Sequence, residues 1–146
     1  MADLNSKWKE EFTLPRTPKA GLDWFPLDVA LFEDIKIKKL RRKHGQLGLV
    51  VYLNLLCRIY KEGYYLEFND LDELCYDISE QITSDNQSRD ISKIRRVILD
   101  IGQCGLIDSV NLEKGVITSY GIQKQYIVSM NKLKRQINME FYRIEK

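Results

Sequence analysis

The sequence predicts an α+β, helix-rich fold, and three observations carry that prediction. Runs with helical apolar spacing and short β-rich runs follow one another as helix, helix, strand, helix, helix, hairpin, the order of a winged helix-turn-helix. The stretch GVITSYGIQKQYIVSMNKLKR, residues 115–135, then carries a short strand through a Thr-Ser hinge directly into a long amphipathic helix. Ahead of both, residues 1–22 are polar, contain Pro15 and Pro18 and keep no sustained period. The expected organisation is a flexible or surface-draped arm at 1–22, with Trp8 and Phe12 as candidate anchors, a winged-helix domain at 23–119, and a C-terminal amphipathic helix at 120–146.

Taken in order, WFPLD at 24–28 sets aromatics beside a proline, and Asp28 suits the cap of a short turn before a helix over 33–43. Ile37 and Leu40 are the apolar positions of that helix, with Ile35 to one side. Lys36, Lys38, Lys39, Arg41, Arg42 and Lys43 crowd the remaining surface, and Gly45 stops it. Residues 46–60 are apolar nearly all round, as a central core helix should be, and Gly48 would let another backbone come close. GYYLEF, 63–68, reads as a short strand, with Asn69 placed to cap the next helix. There Leu71, Leu74, Cys75 and Ile78 form one face, and Asp70, Asp72 and Glu73 complement the helix dipole in the first turn. Residues 79–90 are polar and read as the connecting loop. The following helix buries Ile91, Ile94, Val97, Ile98 and Ile101 and turns Ser92, Lys93, Arg95, Arg96 and Gln103 outward, in the position of a recognition helix. LIDSV, NLEKG and VITS then read as strand, turn and strand, a wing with Lys114 beside Glu113 at its tip. Beyond Ser119, a candidate N-cap, Ile122, Tyr126, Met130, Leu133, Ile137 and Ile144 keep mostly three- and four-residue spacing, broken at Glu140 with Phe141 beside it.

Composition narrows the function classes. A chain of 146 residues, 44% of them apolar, holds one core with room for extensions. Lys+Arg number 23 against 21 for Asp+Glu, so any nucleic-acid argument rests on local clustering and not on the net charge of +2. The first residues contain no apolar run suited to a signal peptide or membrane span, so a cytoplasmic protein with no membrane partner is expected. Cys57, Cys75 and Cys104 are odd in number, share no CxxC spacing and fall among apolar helical residues, which predicts buried free thiols. His44 is the single histidine, so neither a zinc site nor a Ser-His-Asp or Cys-His set is expected. No GxxxxGK[ST] loop occurs, and Asp72 and Glu73 lack an evident partner to shift a pKa. The expectation is a protein that is not an enzyme and uses neither cofactor nor metal.

The candidate nucleic-acid contacts are Ser92, Lys93, Arg95, Arg96 and Gln103 for a DNA groove, Lys36, Lys39, Arg42 and Lys43 for phosphates, and Lys114 on the wing. Against them stands the plain reading of a solvated charged face. Tyr126, Met130, Leu133, Ile137, Phe141 and Ile144 form a candidate interface, whose helix either packs back on the domain or pairs in a homo-oligomer. A DNA-binding module, a protein-interaction scaffold and a winged-helix transcriptional regulator all fit this physics.

WFPLDVALFEDIKIKKLRRKHGQLGLVVYLNLLCRIYKEGYYLEF and GLIDSVNLEKGVITSYGIQKQY together resemble the opening and close of the phage replisome organiser N-terminal family. The specific pieces are Phe25 to Asp28, Asp34-Ile35-Lys36-Ile37, Gly45 with Gly48, Ile59-Tyr60, Gly63-Tyr64-Tyr65, and Thr118-Ser119 with Ile122, Gln123 and Tyr126. The resemblance spans residues 22–135. It implies a winged-helix domain, similar in arrangement to the N-terminal domain of the primosomal protein DnaD, at the front of a phage or prophage replication protein. It also implies DNA or other replication initiation proteins as partners, and no active site. Such organisers usually carry a second, C-terminal domain, so the resemblance leaves both a fragment and a stand-alone version open for a chain ending at Lys146.

Overall fold

The computed structural model describes residues 21–84 and 90–132, with side chains as far as Met130. Asp28 accepts the backbone N–H of Ala30 at 2.8 Å and turns the chain into a single 3-10 turn, Leu31–Glu33. Asp34 then caps α1, Ile35–Glu62, by accepting from Lys36 N at 2.8 Å. Gly45 breaks α1 into the two helical segments expected from the sequence. Its φ of 64° and ψ of −148° lie in a region that glycine alone enters without strain. Gly48 lets the second segment fold close to the first, because a Cβ there would stand 3.0 Å from Leu40 Cγ and 3.1 Å from His44 Cβ.

Gly63, at φ 112°, ends α1 and donates its N–H to Ile59 O. Two-residue strands follow the helical layers: β1, Leu66–Glu67, pairs antiparallel with β2, Val116–Ile117, setting Leu66 opposite Ile117. Between them lie α2, Leu71–Ile82, α3, Ile91–Gln103, and α4, Ser109–Glu113; α5, Tyr120–Lys132, comes after β2. Asp70, and not Asn69, caps α2 through Asp72 N. The helix also runs through Ile82, into the stretch expected to be loop. Buried Ser79 joins it by donating its hydroxyl to Tyr76 O at 2.7 Å.

One core binds the layers. The second segment of α1 supplies Val51, Leu55 and Ile59, α2 supplies Cys75 and Ile78, and α3 supplies Val97, Ile98 and Ile101, all fully buried. On one flank of the α1–α2 packing, Arg58 donates to both Asn54 and Gln81, and Asn54 donates to the same Gln81 oxygen. The three thiols are free, but Cys57 is exposed and Cys104 half-buried, so only Cys75 meets the expectation of burial.

The predicted hairpin is replaced. LIDSV does not extend; Asp108 accepts the N–H of Asn111 at 2.9 Å and starts α4 where the first strand was expected. A single rung of the expected ladder survives, Asp108 N donating to Thr118 O. Leu112 packs on α3 at Gly102, where an added Cβ would lie 2.9 Å from its Cδ2. The second predicted strand exists as β2, but its partner is β1.

Ser119 caps α5 by accepting from Ile122 N at 3.1 Å, as expected. The helix packs back on the domain. Tyr126 is 2% exposed and meets Tyr64 at 5.0 Å between ring centroids. Tyr64 meets Tyr60 edge-on at 5.5 Å, and Tyr60 stacks on Phe25 at 4.6 Å. Beneath this ladder Thr118 Oγ1 and Gln123 Nε2, both fully buried, each donate to Tyr64 O at 2.8 Å. That clamp holds Tyr64 at a positive φ of 79°. Among the described residues no helix is long and apolar enough to cross a membrane.

Candidate functional site

The outward side of α3 is a row, because Ser92, Arg96, Leu99 and Gln103 recur at i, i+4, i+7 and i+11. All four are exposed. Lys93 and Asp100 form the edge of that row toward α1, and Arg95 forms the edge toward α2. Burial of Ile94, Val97, Ile98 and Ile101 beneath them fixes this orientation. Asp90 sets the start of the helix by accepting from Lys93 N at 3.1 Å.

Arg95 is not free. Its Nε and Nη2 both approach Asp72 Oδ1 at 2.5 Å, tying the start of α3 to the first turn of α2. Asp72, read from the sequence as a dipole partner only, therefore also has a cation, and the guanidinium is drawn away from the outward row. Lys93 and Arg96 have no ion-pair partner among the described residues, which leaves their charge directed to solvent.

The first segment of α1 lies along the other side of α3. Asp100 Oδ2 receives His44 Nε2 at 2.6 Å and Lys43 Nζ at 3.0 Å. Burial pushes the Asp100 carboxyl up, but the hydrogen bonds and charge of His44 and Lys43 outweigh it and hold the group below the ordinary carboxylate range. An ionised carboxylate only accepts, so His44 Nε2 carries the hydrogen. Lys39, Lys43, Gln103 and Cys104 surround this pair in a cleft of about 230 Å³. At its foot Lys36 Nζ donates to Gly105 O at 3.3 Å, satisfying a carbonyl at the end of α3. Arg41 sits over the Phe32 ring at 5.4 Å.

The fold thus brings Lys39, Lys43 and Gln103 into one cleft, and sets Lys93, Arg96 and Ser92 farther along the same helix. Arg42 is exposed but does not line the cleft, and Lys114 stands at the C-cap of α4, on the element that replaces the wing. Of the candidate interface, Tyr126 is spent inside the core and Met130 is half-buried against it. Leu133, Ile137, Phe141 and Ile144 lie outside the described residues. His44, Asp100 and Leu99 are the residues the sequence reading passed over. Asp100 had a signal, as the one acid in a helix whose other polar positions are basic or neutral. Among the described residues no group of three or more His, Cys, Asp or Glu is arranged to hold a metal ion.

Fold and cleft define a small helix-rich α+β domain with a two-stranded clamp and a cationic groove between its first and third helices. The chain belongs to the Lin1244/Lin1753-like N-terminal family, which matches residues 24–122. It is 29% identical over 126 residues to the uncharacterized phage-related protein Lin1244/Lin1753 of Listeria innocua serovar 6a (strain ATCC BAA-680 / CLIP 11262). That match covers 85% of this chain and 39% of the relative, so the chain spans about two-fifths of the length of the protein it resembles. No solved structure matches.

Proposed function

We propose that this domain is the DNA-contacting module of a phage-type replication initiation protein and performs no catalytic step. The observation that carries the reading is the outward row of α3, with Arg96 and Lys93 directed to solvent and Lys39 and Lys43 of α1 in the cleft at its Gln103 end. An exposed helix with a hydroxyl, a guanidinium, a leucine and an amide at successive one-turn intervals has the chemistry to read base edges, and flanking ammonium groups suit phosphates. The order α1, β1, α2, α3, β2, with β1 antiparallel to β2, supports a helix-turn-helix framework in which α4 takes the place of a wing. Kinship with a phage-related protein supports the biological setting, and the resemblance to replisome organisers supplies replication as the process.

The test is titration of a labelled duplex at rising salt with the unmodified chain, Arg96→Glu, Lys93→Glu and Arg95→Ala. The expected result is a linear fall of log affinity with log salt, at a slope of about −0.9 per phosphate neutralised. Arg96→Glu and Lys93→Glu weaken binding at least about tenfold, as loss of a contact combined with repulsion should, while Arg95→Ala changes it little. Absence of duplex binding by the unmodified chain at low salt refutes the reading.

A second reading, a protein-interaction module, is favoured by one observation. Trp24, Leu27, Val29, Phe32 and Ile35 are all exposed along the approach to α1, beside a cavity of about 440 Å³ lined by Leu22, Trp24, Phe25 and Tyr60. Light scattering of the chain alone and with Trp24→Ser tests it in its self-associating form. A monomer mass for both removes that form.

A further inference from the structure

We propose that the cleft between α1 and α3 seats one backbone phosphate, and that Lys43 reaches it by leaving Asp100 while His44 takes over as the counter-ion of that carboxylate. The inference rests on the reading of α3 as a nucleic-acid face and adds to it a proton-coupled step.

The geometry supplies three reasons. Both donors use the same oxygen, Asp100 Oδ2, so one can depart and the carboxylate keeps a hydrogen bond. The side chains of Asp100 and His44 are 12% and 13% exposed, whereas that of Lys43 is 60% exposed. His44 is therefore the buried partner, and Lys43 closes over the pair from solvent. Finally, the cleft beside them has room for a small anion and is walled by a second ammonium, Lys39, and by the Gln103 amide.

Charge then dictates the coupling. With Lys43 in place, Asp100 is neutralised whether or not the imidazole is charged. When Lys43 turns to a phosphate, the carboxylate is balanced only by an imidazolium, so the bound state favours a proton on His44. The charged or titratable groups facing the pair are Lys39 and Lys43 from α1 and Cys104 from the end of α3, with Arg96 one turn before Asp100. Lys36 is held at the foot by Gly105 O. His44 is the chain's one histidine, so a proton taken up by an imidazole on binding has one side-chain source.

The experiment measures the affinity of the full chain for a labelled 20-base-pair duplex from pH 5.5 to pH 7.5, with calorimetry in two buffers of different ionisation heat to count protons taken up. Binding should weaken as pH rises, by roughly three- to tenfold over the range, with fractional proton uptake of at most one. His44→Gln keeps a donor without a charge and should flatten the profile. Asp100→Asn removes the competitor for Lys43 and should flatten the profile while tightening binding about two- to fivefold at pH 7.5, the scale of an exposed ion pair. Lys43→Ala should reduce the salt slope by about 0.9. Thermal melts establish that the variants fold, and the calorimetric count needs no variant. Duplex binding that is independent of pH without proton uptake, or a salt slope untouched by Lys43→Ala, overturns the seat and leaves the proposed function standing. No duplex binding at any pH overturns both.

Discussion

Tyr126→Ala tests whether α5 belongs to the domain. The ring is 2% exposed, meets Tyr64 at a tilt of 59° and ends the aromatic ladder that reaches Phe25. An aromatic side chain buries about 150–250 Å². At about 25 cal/mol per Å² this gives roughly 4–6 kcal/mol. The figure is an upper bound, since an unfolded chain already covers part of that surface. Aromatic-to-alanine changes in cores cost about 3–5 kcal/mol, and that is the loss expected here. Against a typical total of about 5–15 kcal/mol the variant sits near the edge of folding. The assay is urea unfolding followed by circular dichroism at two protein concentrations tenfold apart, with Val128→Ala, half-exposed on the same helix, as comparison. Val128→Ala should stay within about 0.5 kcal/mol. A loss below about 1 kcal/mol for Tyr126→Ala, or an unfolding midpoint of the unmodified chain that moves with concentration, would refute intramolecular packing of α5.

Thr118→Val removes a buried hydroxyl that donates to Tyr64 O and accepts from Gln123, and should cost about 1–3 kcal/mol in the same assay. An added Cβ at Gly45 meets nothing within 4 Å, so Gly45→Ala should cost only the backbone strain, about 1–3 kcal/mol, seen as a lower melting temperature. Maleimide labelling at neutral pH with mass spectrometry should modify Cys57 quickly. Cys75, whose thiol burial and the nearby Asp72 push up to about 11, should react only on unfolding. Asp100 has a lowered pKa when folded, so its stabilisation is complete above the ordinary carboxylate value and is lost as pH falls through the folded one. Melting curves between pH 5 and pH 2 should therefore show a larger loss for the unmodified chain than for Asp100→Asn.

Helices were legible where an apolar stripe was long enough to have a period. Ile94, Val97, Ile98 and Ile101 are buried as their spacing implies, and Gly45 breaks α1 where it was expected to stop the first helix. Ser119 was legible as a cap and the cap of α2 to within one residue, because Asn69 and Asp70 have similar capping chemistry and only the observed backbone of Asp70 separates them, whereas Asp34, Asp90 and Asp108 were not read as caps. LIDSV was misread because five residues hold too little period to separate a strand from a turn of helix. The deciding feature was Asp108 with Asn111 three residues on, a capping pattern concealed by the β-branched neighbours. In the candidate site, the exposed side of α3 followed from its buried side. The pairings Arg95–Asp72 and His44–Asp100 did not, since they join residues 23 and 56 positions apart.

The positions that carried the family resemblance explain why kinship speaks more clearly about architecture than about chemistry. Asp34 caps α1, Gly45 bends it, Gly48 brings its two segments together, and Tyr64, Thr118, Gln123 and Tyr126 form the clamp and ladder that dock α5. Each is explained by folding alone, so matching them predicts a frame and leaves its outer face undetermined. That face is the row Ser92, Arg96, Leu99 and Gln103 with the cations of α1 beside it, and burial explains none of its side chains. Residues that the fold does not require are where a partner's chemistry can be read. Leu99, exposed between a guanidinium and an amide, is the position where base reading and a solvated face predict different results. A contact with a thymine methyl group would give it a purpose. A duplex in which uracil replaces thymine removes that methyl and nothing else. If the row reads bases, the substitution weakens binding by the unmodified chain and not by Leu99→Ala; if the row meets only phosphates, both chains bind the two duplexes alike.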